Sequence, residues 1–423
     1  MGAEVAKVKF RLTKRQKQIF PLLMFGAFFE GFDFSTVNLS LPFIANDLAI
    51  DTRTAGYMLS VIAVGTLLSF FVVRMGDRFG RKPVFLWSVV IFSALSLLTA
   101  FTPNIELFAA CQFFARTFLV ATWAVGFIII AEEFSVELRG RALGLFQAAA
   151  AVGAIFPALL MPVMTALGLG WRGLYVIGAL PLVGVFFLAR NFHETDRFMK
   201  IKQYNAGGPG FFAVWKQPYT KHMAIISIIW VLLYFCYITA QSFFSYRAVN
   251  ELGWNEARVG LTIALGYTIG ILGYFAAGKL MDGIGRKPTA VIFLICGSVF
   301  TVCAFQSVLY HHVALFMILS TFFVGVFTVI GASFTNELFP TAIRANATAW
   351  GNNIIGRLGQ VAAPAMVGTM AFALGSVGNA VSVMAMAPLV AVLLILFFLP
   401  ETKNRELQDF VDGPGGGRAA EEQ

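Results

Sequence analysis

RMGDRFGRKP at residues 74–83 and GKLMDGIGRKP at residues 278–288 decide the fold. Asp77 and Asp282 stand 205 residues apart, and so do the Gly-Arg-Lys-Pro strings that begin at Gly80 and Gly285. The same offset relates Glu132 to Glu337 and Arg139 to Arg344. One spacing kept through several loops marks a duplicated architecture.

Between these strings the chain is apolar. Crossing the hydrocarbon of a bilayer takes ~20 apolar residues. Runs of that kind lie near 20–45, 55–75, 83–102, 105–131, 142–168 and 173–190, and again near 222–246, 258–281, 288–309, 313–336, 346–373 and 379–399. Lipid offers no partner to an unpaired backbone group, and the runs are too long for barrel strands, so each reads as a helix. The expected fold is an all-α membrane protein. It has twelve transmembrane helices in two six-helix bundles with pseudo-twofold symmetry and a cavity near mid-membrane. The first bundle is expected over 1–190, a cytoplasmic linker over 191–220, the second bundle over 221–400 and a cytoplasmic tail over 401–423.

Composition agrees. Only 13% of the residues are charged, too few to cover a water-soluble surface of this length. The net charge of +9 raises the question of nucleic acid, but the basic residues sit in short loops between apolar runs, which excludes it. Of 31 Lys and Arg, four (Arg53, Arg172, Arg247, Arg258) fall in loops of one side and two (Arg116, Arg357) inside apolar runs. The rest share the other side with both termini, which makes that side cytoplasmic and the protein a multi-pass protein of the cell inner membrane. The charged first residues and the missing small-residue cleavage site argue against a cleaved signal. The four cysteines all lie within apolar runs with no metal spacing, and they read as small core residues. No nucleophile–base pair, metal cluster or phosphate loop points to an enzyme, and no cofactor is expected apart from protons as the coupling ion.

The quoted strings resemble the loop motif between the second and third, and eighth and ninth, helices of the major facilitator superfamily. Val73 stands where that motif usually opens with Gly, a position Gly278 keeps. Glu132 with Arg139, and Glu337 with Arg344, resemble its acid-and-arginine motif at the ends of the fourth and tenth helices. Pro400-Glu401-Thr402-Lys403 resembles the ending that sugar porters and their relatives carry. The resemblance covers nearly the whole chain. Physically, the loops read as a latch in which carboxylates at helix ends meet arginines across the two halves and part during gating. Asp77, Arg78, Arg81, Glu132, Arg139, Asp282, Arg286, Glu337 and Arg344 are its expected members.

The duplication also sorts the remaining charges. Shifted by 205 residues, Glu30, Asp33, Arg116 and Arg357 meet Phe235, Ile238, Thr321 and Val152, so these four charges are not part of the shared scaffold. Charges within apolar spans are costly and mark substrate or proton paths. Glu30 and Asp33 lie one helical turn apart on one face. Two carboxylates so close in low dielectric do not both ionise readily, which suits a proton carrier. Arg116 is the expected counter-charge of Asp33. Arg357, flanked by Gly356 and Gly359, is suited to grip a carboxylate with its planar fork. The aromatic and amide residues Trp123, Gln147, Tyr234, Tyr237, Gln241, Tyr267, Trp350, Asn352 and Asn353 are candidates to line the cavity. Tyr237 and Gln241, which share a face, lead that set.

Glu30-Gly31-Phe32-Asp33 resembles the acidic first-helix motif of the aromatic acid:proton symporters, and Gly356-Arg357-Leu358-Gly359 resembles their eleventh-helix signature. That resemblance implies proton-coupled symport of a small organic anion, an aromatic or other monocarboxylate, by a monomer in the lipid bilayer. Two other readings share the scaffold: a sugar porter, which needs no buried Arg357, and a drug/proton antiporter, of whose fifth-helix glycine-proline motif Gly153 and Pro157 form only a fragment.

Overall fold

The computed structural model describes residues 12–188, 194 and 212–403. Most of the expected linker and tail therefore lies outside the described residues, as do the basic residues Lys7, Lys9, Arg11, Arg190, Arg197, Lys200, Lys202, Arg405 and Arg418. Among the described residues every regular element is helical. In chain order these are α1 (Lys14–Asp47), α2 (Thr52–Phe79), α3 (Arg81–Thr99), α4 (Ile105–Glu133), α5 (Val136–Ala166), α6 (Gly170–Gly178) and α7 (Pro181–Leu188). After a short 3-10 turn at Ala213–Trp215 come α8 (Thr220–Asn250), α9 (Glu256–Ile284), α10 (Arg286–Gln306), α11 (Tyr310–Val324) and α12 (Phe327–Leu338). The last are α13 (Thr341–Thr348), a π-helical segment at Ala349–Gly356, α14 (Arg357–Leu374), α15 (Val377–Met384) and α16 (Ala387–Phe398).

Among the described residues, ten helical stretches are each long and apolar enough to cross a membrane. The sixth span is the short apolar stretch from Gly170, broken between α6 and α7 before Pro181. The eleventh is the run α13–π–α14, in which Asn352, Asn353 and Arg357 dilute the hydropathy. Together they give the twelve spans that the sequence implies. Short polar caps start several of them: Asp51 accepts from the amide of Thr54, Asn104 from Leu107, Asn255 from Arg258 and Ser376 from Asn379.

The chain packs as two compact units, Met1–Val37 with Val64–Ala206, and Asn38–Ala63 with Gly207–Gln423. In the first unit α1 and α5 touch backbone to backbone. A Cβ at Gly31 would lie 1.8 Å from the Ala150 carbonyl oxygen, and one at Gly153 would lie 1.8 Å from that of Phe28. Small residues permit this approach where no water drives helices together. Phe32, Phe85, Phe92, Phe108 and Phe146 fill the core around them.

In the second unit the stretch 38–63 joins α8 and α14 through polar contacts. Ser242 donates to Asn38 Oδ1 at 2.9 Å, and the hydroxyls of Thr52 and Tyr246 lie 2.8 Å apart. Pro364 interrupts the hydrogen-bond ladder of α14, and the amide of Ala365 finds Ser60 Oγ at 2.9 Å. These contacts explain why 38–63 belongs to the second unit although the linear repeat assigns it to the first half. Large apolar side chains point outward, Phe372 at 89% exposure being the extreme. In a membrane-spanning chain that is the surface lipid covers.

Candidate functional site

Three glycines of the eleventh span let it lie on α8. A Cβ at Gly356 would stand 2.8 Å from Trp230 Cβ, one at Gly359 2.5 Å from the Val231 carbonyl oxygen, and one at Gly351 3.1 Å from Met223 Cε. The π-helical segment between them widens the turn by one residue, a distortion that recurs at functional sites. It brings Asn352 and Arg357 together beside α8. Tyr234 donates its hydroxyl hydrogen to Asn352 Oδ1 at 2.9 Å and accepts a hydrogen bond from the Arg357 guanidinium. With its carbonyl oxygen engaged by Tyr234, Asn352 keeps an NH2 group as donor, and Arg357 adds the N–H groups of its guanidinium. Such a set of donors matches an acceptor-rich anion.

Tyr234 is the residue sequence reasoning undervalued. It shares a face with Tyr237, one turn on, and that spacing was the available signal. Tyr237 itself stacks on Phe327 with ring centroids 4.5 Å apart, and the Tyr234 ring meets the same Phe327 at 5.1 Å. Gln241 is buried one turn further along α8, while Asn353 and Tyr267 are half-buried. Trp350 packs on Phe212 and Trp215.

The first unit holds the acids. Asp33 is 2% exposed and Arg116 5%, so both charges are buried. Ser96 donates to Asp33 Oδ1 at 3.3 Å, whereas Asp33 Oδ2 has no hydrogen-bond partner among the described residues. Arg116 lies within electrostatic reach of Asp33, yet no ion pair closes between them. Its Nη1 lacks a hydrogen-bond partner among the described residues, and its guanidinium sits 5.0 Å over the ring of Phe34. The expected counter-charge Arg116 therefore stands near Asp33 without closing an ion pair to it. Glu30 stands one turn before Asp33 and is half-buried. Trp123 Nε1 donates to Gln147 Oε1 at 3.0 Å, which joins α4 to α5 and brings those two candidates together.

Six of the nine latch residues form the same figure in each unit, Asp77 with Arg81 and Glu132, and Asp282 with Arg286 and Glu337. Arg81 Nη1 pairs with Asp77 at 2.9 Å and Arg81 Nη2 with Glu132 at 3.3 Å. Arg286 Nη1 pairs with Asp282 at 3.5 Å and Arg286 Nε with Glu337 at 3.0 Å. The sequence places such pairs across the two halves; these close within each half, because each arginine opens its helix beside the end of the α4 or α12 carboxylate. Arg139 and Arg344 form no ion pair among the described residues and turn back to the carbonyls of Phe134 and Phe339 at 3.4 and 3.3 Å. Arg78 is exposed beside Phe79.

Two residues complete the figure. Glu194 accepts from the amides of Arg81 (2.9 Å) and Lys82, and Glu401 from those of Arg286 (2.8 Å) and Lys287 (2.9 Å). Each carboxylate thereby caps a helix N-terminus. Gly80 and Gly285 make room at φ 108° and 107°, where a Cβ would meet the carboxylate at 2.3 and 2.9 Å. Burial pushes the Glu401 carboxyl up, but the amides of Arg286, Lys287, Lys403 and Thr402 outweigh it and hold the carboxyl below its ordinary range. Glu194 escaped sequence reasoning although it stands 207 residues before Glu401, close to the common offset. Arg247, read from sequence as a loop charge, is instead a buried staple in the last turn of α8. It donates to the carbonyls of Ala304 and Ser307 at 3.1 and 2.8 Å and pairs with Glu251 at 3.4 Å.

The sequence matches the family described as Major Facilitator Superfamily over residues 23–364 and again over 226–416. A protein of Bacillus subtilis named as a niacin/nicotinamide transporter is 25% identical over 93% of this chain and 98% of its own length. The cis,cis-muconate transport protein of Acinetobacter baylyi is 26% identical over 88% of this chain and 91% of its own. The crystal structure of a D-xylose-proton symporter shares the fold with a TM-score of 0.73 at 15% identity, covering 92% of this chain and 99% of that one.

Proposed function

The chain belongs to the Major Facilitator Superfamily, and from that premise we propose that it is a proton-coupled symporter importing a small organic anion, an aromatic or other monocarboxylate, by alternating access. The observation that carries this reading is the donor set of Arg357 and Asn352, held by Tyr234. Niacin and muconate, after which two relatives are named, are carboxylic acids, and the ring of an aromatic acid suits the Tyr234–Phe327–Tyr237 ring cluster.

Charge supports the direction of coupling. Glu30 and Asp33 offset Arg116 and Arg357, so the four intramembrane charges sum to zero. A monoanion adds one negative charge and one proton on the acid pair removes it. An uncompensated charge in low dielectric costs several kcal/mol, so the mobile form carries anion and proton together. In this reading Asp33 is the main proton carrier, Glu30 assists, and Arg116 supplies the opposing charge. The Asp77–Arg81–Glu132 and Asp282–Arg286–Glu337 clusters steady the cytoplasmic ends and loosen as the transporter turns over. The protein sits in the inner membrane as a monomer with both termini in the cytoplasm.

The test is uptake by proteoliposomes under an inside-alkaline pH gradient, with nicotinate, benzoate, cis,cis-muconate and D-xylose as probes. Accumulation of a carboxylate that collapses with the gradient is the expected result. Accumulation of D-xylose in preference to every acid overturns the reading.

A further inference from the structure

Ser96 lies on α3, fully buried, between two acceptors on different helices. Its Oγ stands 3.3 Å from Asp33 Oδ1 on α1 and 3.4 Å from the backbone carbonyl oxygen of Tyr175 on α6. A serine hydroxyl has one hydrogen, so it serves one of the two fully at a time. Both distances exceed the usual O–H···O separation of about 2.7–2.8 Å, as befits a hydrogen shared between competing acceptors.

The Tyr175 carbonyl is available for a structural reason. In a continuous helix it would accept from the amide of Ala179, four residues on. That amide instead turns to Val176 at 3.2 Å, because the helix ends at Gly178 ahead of Pro181. Gly178 also permits the approach: a Cβ there would lie 2.9 Å from Ser96 Oγ. The Tyr175 ring is wedged edge-on against Phe108 and Trp171 at 5.9 Å each, so its backbone is firmly tied to α6 packing. Its hydroxyl, like Asp33 Oδ2, has no hydrogen-bond partner among the described residues.

We propose that Ser96 is a positioning residue that passes the protonation state of Asp33 to the broken sixth span. When Asp33 is ionised, the carboxylate is the stronger acceptor and takes the Ser96 hydrogen. When Asp33 gains a proton, its O–H donates to Ser96 Oγ, and the Ser96 hydrogen turns to the Tyr175 carbonyl. The added proton keeps α1 bonded to α3 with the direction reversed, and the hydrogen bond that Ser96 donates moves from α1 to α6. The inference rests on Asp33 being the proton carrier. The other ionisable groups facing Asp33 are Arg116 from α4, the Tyr175 phenol from α6 and Glu30 one turn back on its own helix. From α5 the neighbour of Gly31 is the apolar Ala150.

The test needs no substrate. Infrared difference spectra between acid and alkaline pH are recorded on the purified full-length protein carrying carbonyl-13C tyrosine. The wild type should show a carboxyl band that Asp33→Asn removes, together with a tyrosine-carbonyl shift of the same pH midpoint. Ser96→Ala should keep the carboxyl band, raise its midpoint by about one pH unit through loss of a donor to the charged form, and lose the tyrosine-carbonyl shift. Ser96→Cys, a near-isostere with a weak donor, should fall between and carries the test if Ser96→Ala does not fold. A tyrosine-carbonyl shift and midpoint unchanged in both variants overturns the relay. If Asp33→Asn leaves both signals intact, the proton-carrier reading has failed instead.

Discussion

Tyr234 donates its hydroxyl hydrogen to Asn352 Oδ1 across 2.9 Å, and this bond decides which way Asn352 faces. With its oxygen engaged, Asn352 offers a bound anion its NH2. Removing the hydroxyl takes one hydrogen-bond partner from Asn352 and one from Arg357. Tyr234→Phe should weaken nicotinate binding about tenfold, or ~1.4 kcal/mol, with the edge-on ring contact to Phe327 preserved. Isothermal titration of the purified protein measures this, and an unchanged affinity means that Tyr234 does not orient the site.

Asp33 is buried with one oxygen bonded to Ser96 and the other without a hydrogen-bond partner among the described residues. Asn keeps the shape and cannot carry a proton. Asp33→Asn should abolish nicotinate accumulation under a pH gradient while nicotinate counterflow, which needs no net proton movement, continues. Wild-type accumulation by this variant shows that the proton rides elsewhere.

The backbone contact of Gly31 with Ala150 places α1, and so Asp33, in the first unit. A branched side chain has no space there. Gly31→Val should destabilise by at least about 2 kcal/mol. Gly144→Ala on α5, where an added Cβ meets nothing within 4 Å, should leave stability within about 0.5 kcal/mol. Thermal unfolding in detergent separates the two, and equal melting temperatures refute the tight α1–α5 contact.

Glu401 provides a pH-dependent term. Its carboxyl is held below the ordinary value of about 4.3 in the folded protein. A depressed folded value stabilises above the unfolded value, and that stability is lost as pH falls through the folded one. Wild type should therefore melt higher than Glu401→Gln at neutral pH, and the gap should close at acid pH. A gap that persists at acid pH assigns the effect to packing rather than to the charge.

These outcomes separate what the sequence carried from what it did not. Asp77, Arg81, Glu132 and their partners 205 residues on were legible because charges at helix ends cannot drift without cost, so the duplication stays visible. The twelve spans were legible because lipid demands long apolar runs. The role of Tyr234 was not, because its meeting with Arg357 depends on the π-helical segment 349–356, and one extra residue per turn has no signature in composition or period. Assignment of 38–63 to the second unit depends on Asn38, Thr52 and Ser60 meeting Ser242, Tyr246 and Ala365, long-range pairings that a linear repeat does not encode. Arg247 looked like a loop charge because it closes an apolar run; burial and three partners became visible only in the packed chain.

Arg357 is the anion's partner in the proposed transport cycle. Binding of nicotinate to the wild type, Arg357→Ala and Arg357→Lys, measured by isothermal titration at one pH, tests it most directly. The alanine variant should lose about 2–3 kcal/mol, some hundredfold in affinity, as expected for a charged hydrogen bond. Lysine should recover only part of it, because a point charge cannot reproduce the planar fork. Undiminished nicotinate affinity in Arg357→Ala contradicts the account.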